Sequence, residues 1–349
     1  MRNLRWLLFL LAVLLTVLLC GRKPNTQVIP TLADRVRTST THIHAAPHAP
    51  ETKQSLIELK SALRQMDTKE AVKWIQAQLR SGEDTSFQLD LVLDAGQNLS
   101  GWPSWRVFLL DLLYLTDPET AAFSSKELLA TSRSPDEWAV AMRNLARVGT
   151  EDELLKSKSA ELLRHKEWQK TPSAGYLEAF DVIVHTRNTE LTPDLLAHCD
   201  ERDAKAVRHA SFLTLDRLVM ADPAKVLPDL ARSASSHPKS GLMLSNMIAR
   251  ADVADPVQRQ AVETYLLDPK RTDDELRGFA SVFPNANVAV SHNLLTKTPT
   301  LQGAELAVRD RNSLETVSRW LSDERFKTVH GSLRTIVVRL QSMRPGYGR

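Results

Sequence analysis

The sequence predicts an all-α protein in which helical hairpins stack as an α-solenoid, preceded by an N-terminal membrane-anchor helix. Three observations support this fold class. Proline follows a helix-capping residue at six places, apolar residues recur at helical spacing, and glycine is scarce, at 12 of 349 residues. No stretch alternates strictly between apolar and polar residues, as a half-buried strand would. We therefore expect helices almost without interruption from residue 51 onward.

The first element, residues 1–22, is predicted to be a membrane anchor or signal segment. Residues 6–20 form an uncharged, leucine-rich run with Arg5 before it and Arg22 after it. As a helix, this run reaches about 22 Å against about 30 Å of bilayer hydrocarbon. No small-residue cleavage site follows it, which favours an uncleaved signal anchor. We expect a cytoplasmic N-terminus and a large periplasmic or extracytoplasmic domain in a single-pass membrane protein.

Two other interpretations of this segment stay open. Leu-Leu-Cys-Gly at residues 18–21 resembles a lipobox, which makes Cys20 a candidate for lipidation. In that case the protein is a lipoprotein anchored through Cys20, although the motif prefers a small residue where Leu19 stands. In the other interpretation the segment is a signal peptide that is removed.

The second element, residues 23–50, is predicted to be a flexible linker rich in Pro, Thr and His, with little apolar periodicity. As a random coil it would span about 30 Å and hold a domain clear of the lipid headgroups. Within it, His42, His44 and His48 could chelate a transition metal if the segment folded back. No carboxylate or cysteine ligands support them, so we predict no metal and no cofactor.

The third element, residues 51–349, is predicted to be an α-helical repeat domain. Its helix starts are marked by Asp117-Pro118, Ser134-Pro135, Thr171-Pro172, Thr192-Pro193, Asp222-Pro223 and Asp255-Pro256. Ser134, Thr150 and Thr272 are each followed three residues later by Glu, the pattern of a capping box. Successive starts imply units of roughly 33 to 40 residues, the period of helical hairpin repeats. Such units bury their apolar faces against neighbours and stack into a solenoid.

One stretch carries a family resemblance. Residues 203–208 have the sequence Asp-Ala-Lys-Ala-Val-Arg, and residues 222–230 continue with Asp-Pro-Ala-Lys-Val-Leu-Pro-Asp-Leu. This stretch resembles the HEAT repeat, with its Asp before a Val-Arg pair and its proline at the entry to the next helix. The match covers about one repeat. It implies an α-solenoid that serves as a binding scaffold, and it carries over no catalytic residue.

The charge distribution argues against nucleic acid as a partner. The whole chain has a net charge of +3, but residues 1–50 hold six Lys and Arg and one acidic residue, and residues 325–349 hold six and none. Residues 51–324 therefore hold 33 basic and 41 acidic residues, a net charge of −8. Phosphate binding is disfavoured over most of such a surface.

Catalytic motifs are missing from the sequence. It contains no G-x-S-x-G, H-E-x-x-H, C-x-x-C or G-x-G-x-x-G pattern and no Walker A sequence. Cys199 lies beside His198, but we interpret it as a half-buried helix cysteine. We therefore predict that the protein is not an enzyme.

Two groups of residues are candidates for partner binding. Trp102 and Trp105 could stack on a sugar ring or a partner's proline, or pack a corner between helices. Arg334, Arg339 and Arg344 surround an apolar stripe in the last helix and could dock an acidic partner or form a solvated cap. The resulting hypothesis is a membrane-tethered α-solenoid scaffold for protein–protein interaction in the cell envelope, with no catalysis of its own.

An enzyme remains the alternative hypothesis. An α/α-barrel in the envelope could act on polysaccharide through carboxylates such as Asp90, Asp94 or Glu178, with tryptophans as stacking platforms. The sequence places Asp90 and Asp94 on one face of a predicted helix. The low aromatic content, 6%, favours the scaffold.

Overall fold

Helices dominate the fold, and the prediction of an all-α protein is confirmed. A computed structural model describes residues 31–149, 151–201, 203–287 and 293–342. The predicted anchor at residues 1–22, with Cys20, lies outside these residues. Within the described part of the chain, no helix has the length and apolar character needed to cross a membrane.

The elements are introduced here in chain order. The helices are α1 Leu32–Ala45, α2 Thr52–Arg64, α3 Thr68–Ser81, α4 Trp105–Thr116, α5 Pro118–Thr131, α6 Pro135–Val148, α7 Asp152–Leu163, α8 Lys166–Lys170, α9 Ala174–Glu178, α10 Asp181–His185, α11 Thr192–Asp200, α12 Lys205–Ala221, α13 Pro223–Ser233, α14 Gly241–Ile248, α15 Pro256–Leu266, α16 Asp273–Val282, α17 Gly303–Leu321 and α18 His330–Ser342. Short 3₁₀ turns span Thr189–Leu191, Ala234–Ser236, Pro238–Ser240 and Glu324–Val329. Two strands, β1 Val92–Leu93 and β2 Leu99–Gly101, lie between α3 and α4.

Helix α1 corrects the prediction of a flexible linker, which is wrong for residues 32–45. Val36 and Ile43 lie seven residues apart, on one helix face, and both are buried against α2. The ring of His44 packs edge-on against Trp105, at 4.9 Å between centroids. His44 thus belongs to the packing of α1 against the domain.

A β-hairpin corrects the expectation of uninterrupted helix. Strands β1 and β2 pair antiparallel. In the turn between them, Asp94 Oδ1 accepts hydrogen bonds from the backbone N–H groups of Gly96 (2.8 Å) and Asn98 (2.9 Å). These bonds lower the pKa of Asp94. The prediction that Asp90 and Asp94 share a helix face is therefore wrong, because Asp94 orders a turn.

Several predicted helix caps are formed. Side chains accept backbone N–H bonds at the N-caps Asp117, Ser134, Asp255 and Thr272. The capping box of Thr272 with Glu275 is complete. The predicted start at Thr171-Pro172 is wrong, because Thr171 ends α8 and Ser173 caps α9 instead. Thr150 lies outside the described residues.

The Asp117 cap makes a pH-dependent contribution to stability. Its carboxylate accepts bonds from the Thr120 N–H (3.1 Å) and hydroxyl (2.8 Å), which lower its pKa below the ordinary 3.8. We expect Asp117→Ala to cost about 1 kcal/mol of unfolding free energy at pH 7. Because a lowered pKa stabilises the fold only above the unfolded value, this cost should shrink as the pH falls below 3.8. Urea denaturation of both proteins at neutral and acidic pH measures it, and an equal cost at both would contradict the prediction.

One row of helices runs through the domain. Helices α4, α6, α10, α12, α14, α16 and α18 contact one another in succession. Hydrogen bonds along the row join residues 31 to 39 positions apart. This separation lies near the predicted repeat length of 33 to 40 residues. The row carries the site described next.

Candidate functional site

Buried ion pairs recur along the row of helices. The pairs are Asp111 with Arg143, Asp181 with Arg217, and Asp216 with Arg250, and no side chain among them is more than 7% exposed. The first pair joins α4 to α6, the second α10 to α12, and the third joins α12 to the end of α14. Because a buried charge is costly without a partner, these pairs fix how successive helices meet.

The first pair explains the place of the two predicted tryptophans. Asp111 accepts bonds from the Trp102 indole N–H (3.0 Å) and the Lys60 ammonium (3.3 Å), besides its bond from Arg143. Trp102 is 2% exposed, and Trp105 is 1% exposed and stacks on a neighbouring phenylalanine. Neither indole is open to a partner, so the predicted stacking role is wrong. The alternative interpretation, packing at a corner between helices, describes their position.

The second pair holds an extended segment of the chain. We call residues 293–301 the strap; it precedes α17 and crosses back over α10 and α12. Asp181 Oδ2 accepts the backbone N–H groups of Leu295 (2.6 Å) and Thr296 (2.8 Å), and Oδ1 accepts the Thr296 hydroxyl (2.6 Å). Arg217 also donates to that hydroxyl. Leu294 is fully buried. The carboxylate therefore binds the strap mainly through its main chain.

The hairpin holds the strap from its other side. Gln97 Nε2 donates to the carbonyls of Asn293 (2.9 Å) and Thr296 (3.0 Å). Arg147 of α6 in turn donates to the Gln97 carbonyl (2.6 Å). Gln97 of the hairpin thus donates to main-chain carbonyls of the strap, and Asp181 of α10 accepts from its main-chain N–H groups.

Residues 283–287, directly after α16, also follow the row. The Asn285 N–H donates to the Ala249 carbonyl (2.7 Å), and its side-chain amide donates to the Asn246 carbonyl (3.1 Å). Arg250 Nη2 donates to the Asn287 carbonyl (2.8 Å). After α16 the described residues therefore pass α14 first and α12 and α10 later, in the reverse of their order in the chain.

A groove lies beside the strap. Two adjacent cavities, of about 260 and 370 Å³, share Met220 and Pro299 as lining residues. Together we call them the strap groove. Arg187 and Lys297 are exposed at one end, and Arg309 lines the other.

Burial and charge act in opposite directions on Asp181. Burial raises the pKa of its carboxyl, while Arg217 and the donors of the strap lower it. Burial likewise lowers the pKa of the Arg309 guanidinium, which donates to the carbonyls of Arg250 and Ala251. Because water is largely excluded from the Asp181 carboxyl and the Arg309 guanidinium, hydrogen bonds and charges of the protein must stabilise their charged forms.

The two described arginines of the predicted acidic-partner site on the last helix differ in exposure. Arg334 is exposed on α18, whereas Arg339 is half-buried and donates to the Phe283 carbonyl beyond α16. Burial lowers the pKa of Arg339. Arg344 lies outside the described residues, as does the candidate lipidation site Cys20. Arg339 therefore joins two helices, and of the described pair only Arg334 offers an open charge.

The residues suggested for catalysis lie on three different segments of the fold. Asp90 is exposed before the hairpin, Asp94 lies in its turn, and Glu178 ends α9. The Cys199 thiol is 3% exposed, and burial raises its pKa to about 12, which suppresses the nucleophilic thiolate. His198 is buried between Gln169 and Ser211, and burial lowers its pKa. Among the described residues, no three His, Cys, Asp or Glu side chains could hold a metal ion.

Sequence analysis missed the residues that hold the strap. One signal was available: Asp181 lies within the apolar run Phe-Asp-Val-Ile-Val, and Arg217 lies within Leu-Asp-Arg-Leu-Val. A charged residue inside such a run on a helix is either buried and paired or marks a break in the apolar face. Neither run points to Thr296, because the contacts of Asp181 and Arg217 with it cross 115 and 79 residues.

The site is built from side-chain bonds to main-chain groups of the strap. Its carboxylate, amide and guanidinium groups meet main-chain N–H and C=O groups, and they are not arranged around a reacting atom. Comparison with protein-family models, with curated proteins and with solved structures gave no match.

Proposed function

We propose that this protein is a membrane-tethered α-solenoid scaffold, which binds a segment of another envelope protein and performs no catalysis of its own. The observation that carries the proposal is the strap. The row of helices and the β-hairpin already hold a non-helical segment through side-chain bonds to its main chain, with Asp181 of the row and Gln97 of the hairpin as the principal groups. Binding through main-chain groups admits segments of differing sequence.

The repetition along the row supports a solenoid. Its polar contacts recur at separations of 31 to 39 residues, as expected when each helical hairpin packs on the next. The stretch that resembles a HEAT repeat coincides with the consecutive helices α12 and α13. Such stacking presents a long surface, and long surfaces suit binding better than a confined reaction.

The tether is proposed from residues 6–20, the leucine-rich run at the N-terminus. Fractionation of cells that express the full chain, or a variant without residues 2–22, tests it. We expect the full chain in the membrane fraction and the shortened variant in the soluble fraction. A full chain that is soluble would remove the tether from the proposal.

Site-specific photocrosslinking from native membranes tests the scaffold. A photoreactive amino acid replaces Lys297 beside the strap groove, and in the matched control it replaces Glu153, whose side chain is 88% exposed on α7. We expect a discrete crosslinked protein from position 297 and none from position 153. Recovery of the protein always alone, or the same adducts from both positions, would contradict the proposal.

A further inference from the structure

The strap groove concentrates positive charge in a domain whose central 274 residues are acidic overall. Arg217 and Arg250 line it and are paired with the buried Asp181 and Asp216. Among the described lining residues, the other cations are the exposed Arg187 and Lys297 and the partly buried Arg309, which donates to main-chain carbonyls, and the acidic residue is Asp252. Residues 51–324 carry a net charge of −8, so this excess of cations is a local feature. It favours a ligand with negative charge.

The base of the groove is apolar. Met220 and Pro299 line both of its cavities. Val219 and Pro223 also line the 260 Å³ cavity. Leu301 is 43% exposed at the same end. An aliphatic side chain would be buried against these residues, so the preferred ligand combines carboxylates with at least one apolar group.

The shape of the groove follows the strap. Residues 296–301 belong to no helix or strand, so their main-chain groups are not committed to regular secondary structure. A ligand lying in the groove would contact this irregular segment of the backbone at Thr296, Lys297, Pro299 and Leu301. An extended peptide matches that course and can add main-chain hydrogen bonds to it.

Nucleic acid fits the groove less well, although it is also an anion. Proteins that bind single strands place aromatic rings under the bases. Among the described residues that line the two cavities, the imidazole of His185 is the one aromatic ring, and Asp252 lies among the cations. The net charge of −8 over residues 51–324 would also repel a long polyanion.

We propose that the strap groove binds an acidic, extended peptide segment, with carboxylates at Arg187 and Lys297 and an aliphatic side chain against Met220 and Pro299. This inference rests on the proposed scaffold function and specifies the chemistry of its partner.

Fluorescence anisotropy with the purified full-length protein in detergent tests this inference. The probe is a fluorescein-labelled peptide of Glu residues around a central Leu, and a second peptide has Gln in place of every Glu. We expect binding of the acidic peptide that weakens as salt is added, and no comparable binding of the Gln peptide. The double variant Arg187→Glu with Lys297→Glu should weaken acidic-peptide binding by about tenfold or more.

The matched control reverses two exposed cations elsewhere, Lys53→Glu with Lys239→Glu, and so has the same net charge. We expect it to bind the acidic peptide as the unaltered protein does. Since all four positions are exposed, the urea midpoints of both double variants should match that of the unaltered protein. Equal weakening by both variants, equal binding of the two peptides, absence of binding, or tighter binding of an oligothymidylate would each overturn the inference.

The two proposals can fail separately. A partner that crosslinks to position 297, together with absent binding of the acidic peptide, would overturn the acidic chemistry and leave the scaffold in place. Acidic-peptide binding with no crosslinked protein from native membranes would instead contradict the scaffold.

Discussion

Asp111→Ala should lower the free energy of unfolding by about 3–5 kcal/mol, the cost of leaving a buried charge without its partner. Arg143 is fully buried, and Asp111 is the carboxylate that pairs with it. The same substitution removes the acceptor of the Trp102 indole and of the Lys60 ammonium. Urea denaturation followed by circular dichroism measures the change.

Two further variants separate this charge effect from simple loss of a side chain. Asp274→Ala removes an exposed pair with Arg277, and we expect it to cost less than about 1 kcal/mol. Asp111→Leu combined with Arg143→Met replaces both buried charges, and should recover part of the stability lost in Asp111→Ala. If Asp111→Leu with Arg143→Met were less stable than Asp111→Ala, the unpaired guanidinium of Arg143 would not be the cause of the stability lost in Asp111→Ala.

Asp181→Ala should release the strap. The substitution removes three hydrogen bonds to Leu295 and Thr296 and leaves Arg217 buried without its carboxylate. A local loss of about 3 kcal/mol corresponds to roughly a hundredfold increase in the open population. Trypsin cleaves after Lys297, within the strap, so limited proteolysis followed by mass spectrometry should show cleavage there about a hundredfold faster.

The matched control for this experiment is Asp194→Ala. Asp194 pairs with Arg164, whose side chain is 62% exposed, so its loss should leave cleavage after Lys297 unchanged. Gln97→Ala removes two donors to the strap without creating an unpaired charge, and should have an intermediate effect. Unchanged cleavage in Asp181→Ala would show that the carboxylate does not hold the strap.

The parts of the fold that could be predicted are those encoded locally. The caps at Asp117, Ser134 and Asp255 act on N–H groups two or three residues away, so a short pattern contains both donor and acceptor. Helix α1 was missed because only Val36 and Ile43 mark its apolar face, among prolines and threonines typical of a linker. The hairpin was missed because its first strand has two residues, too few to show alternation.

The candidate site could not be predicted for a different reason. Its contacts are long-range: Asp181 and Thr296 are 115 residues apart, and no local pattern links a carboxylate to the backbone it will bind. Trp102 illustrates the same limit. Its indole looks like a binding group in the sequence, but the acceptor that keeps it inside, Asp111, is known only once α4 has formed.

The bond between Gln97 and Thr296 spans 199 residues and has a consequence for how the chain is made. In an open array of repeats each hairpin meets only its neighbours, so the first hairpins can fold while the later ones are still being synthesised. Here the β-hairpin near the start cannot complete its hydrogen bonds until the ribosome has released residue 296. The strap can therefore bind the hairpin only after the 198 residues between Gln97 and Thr296 have also been translated.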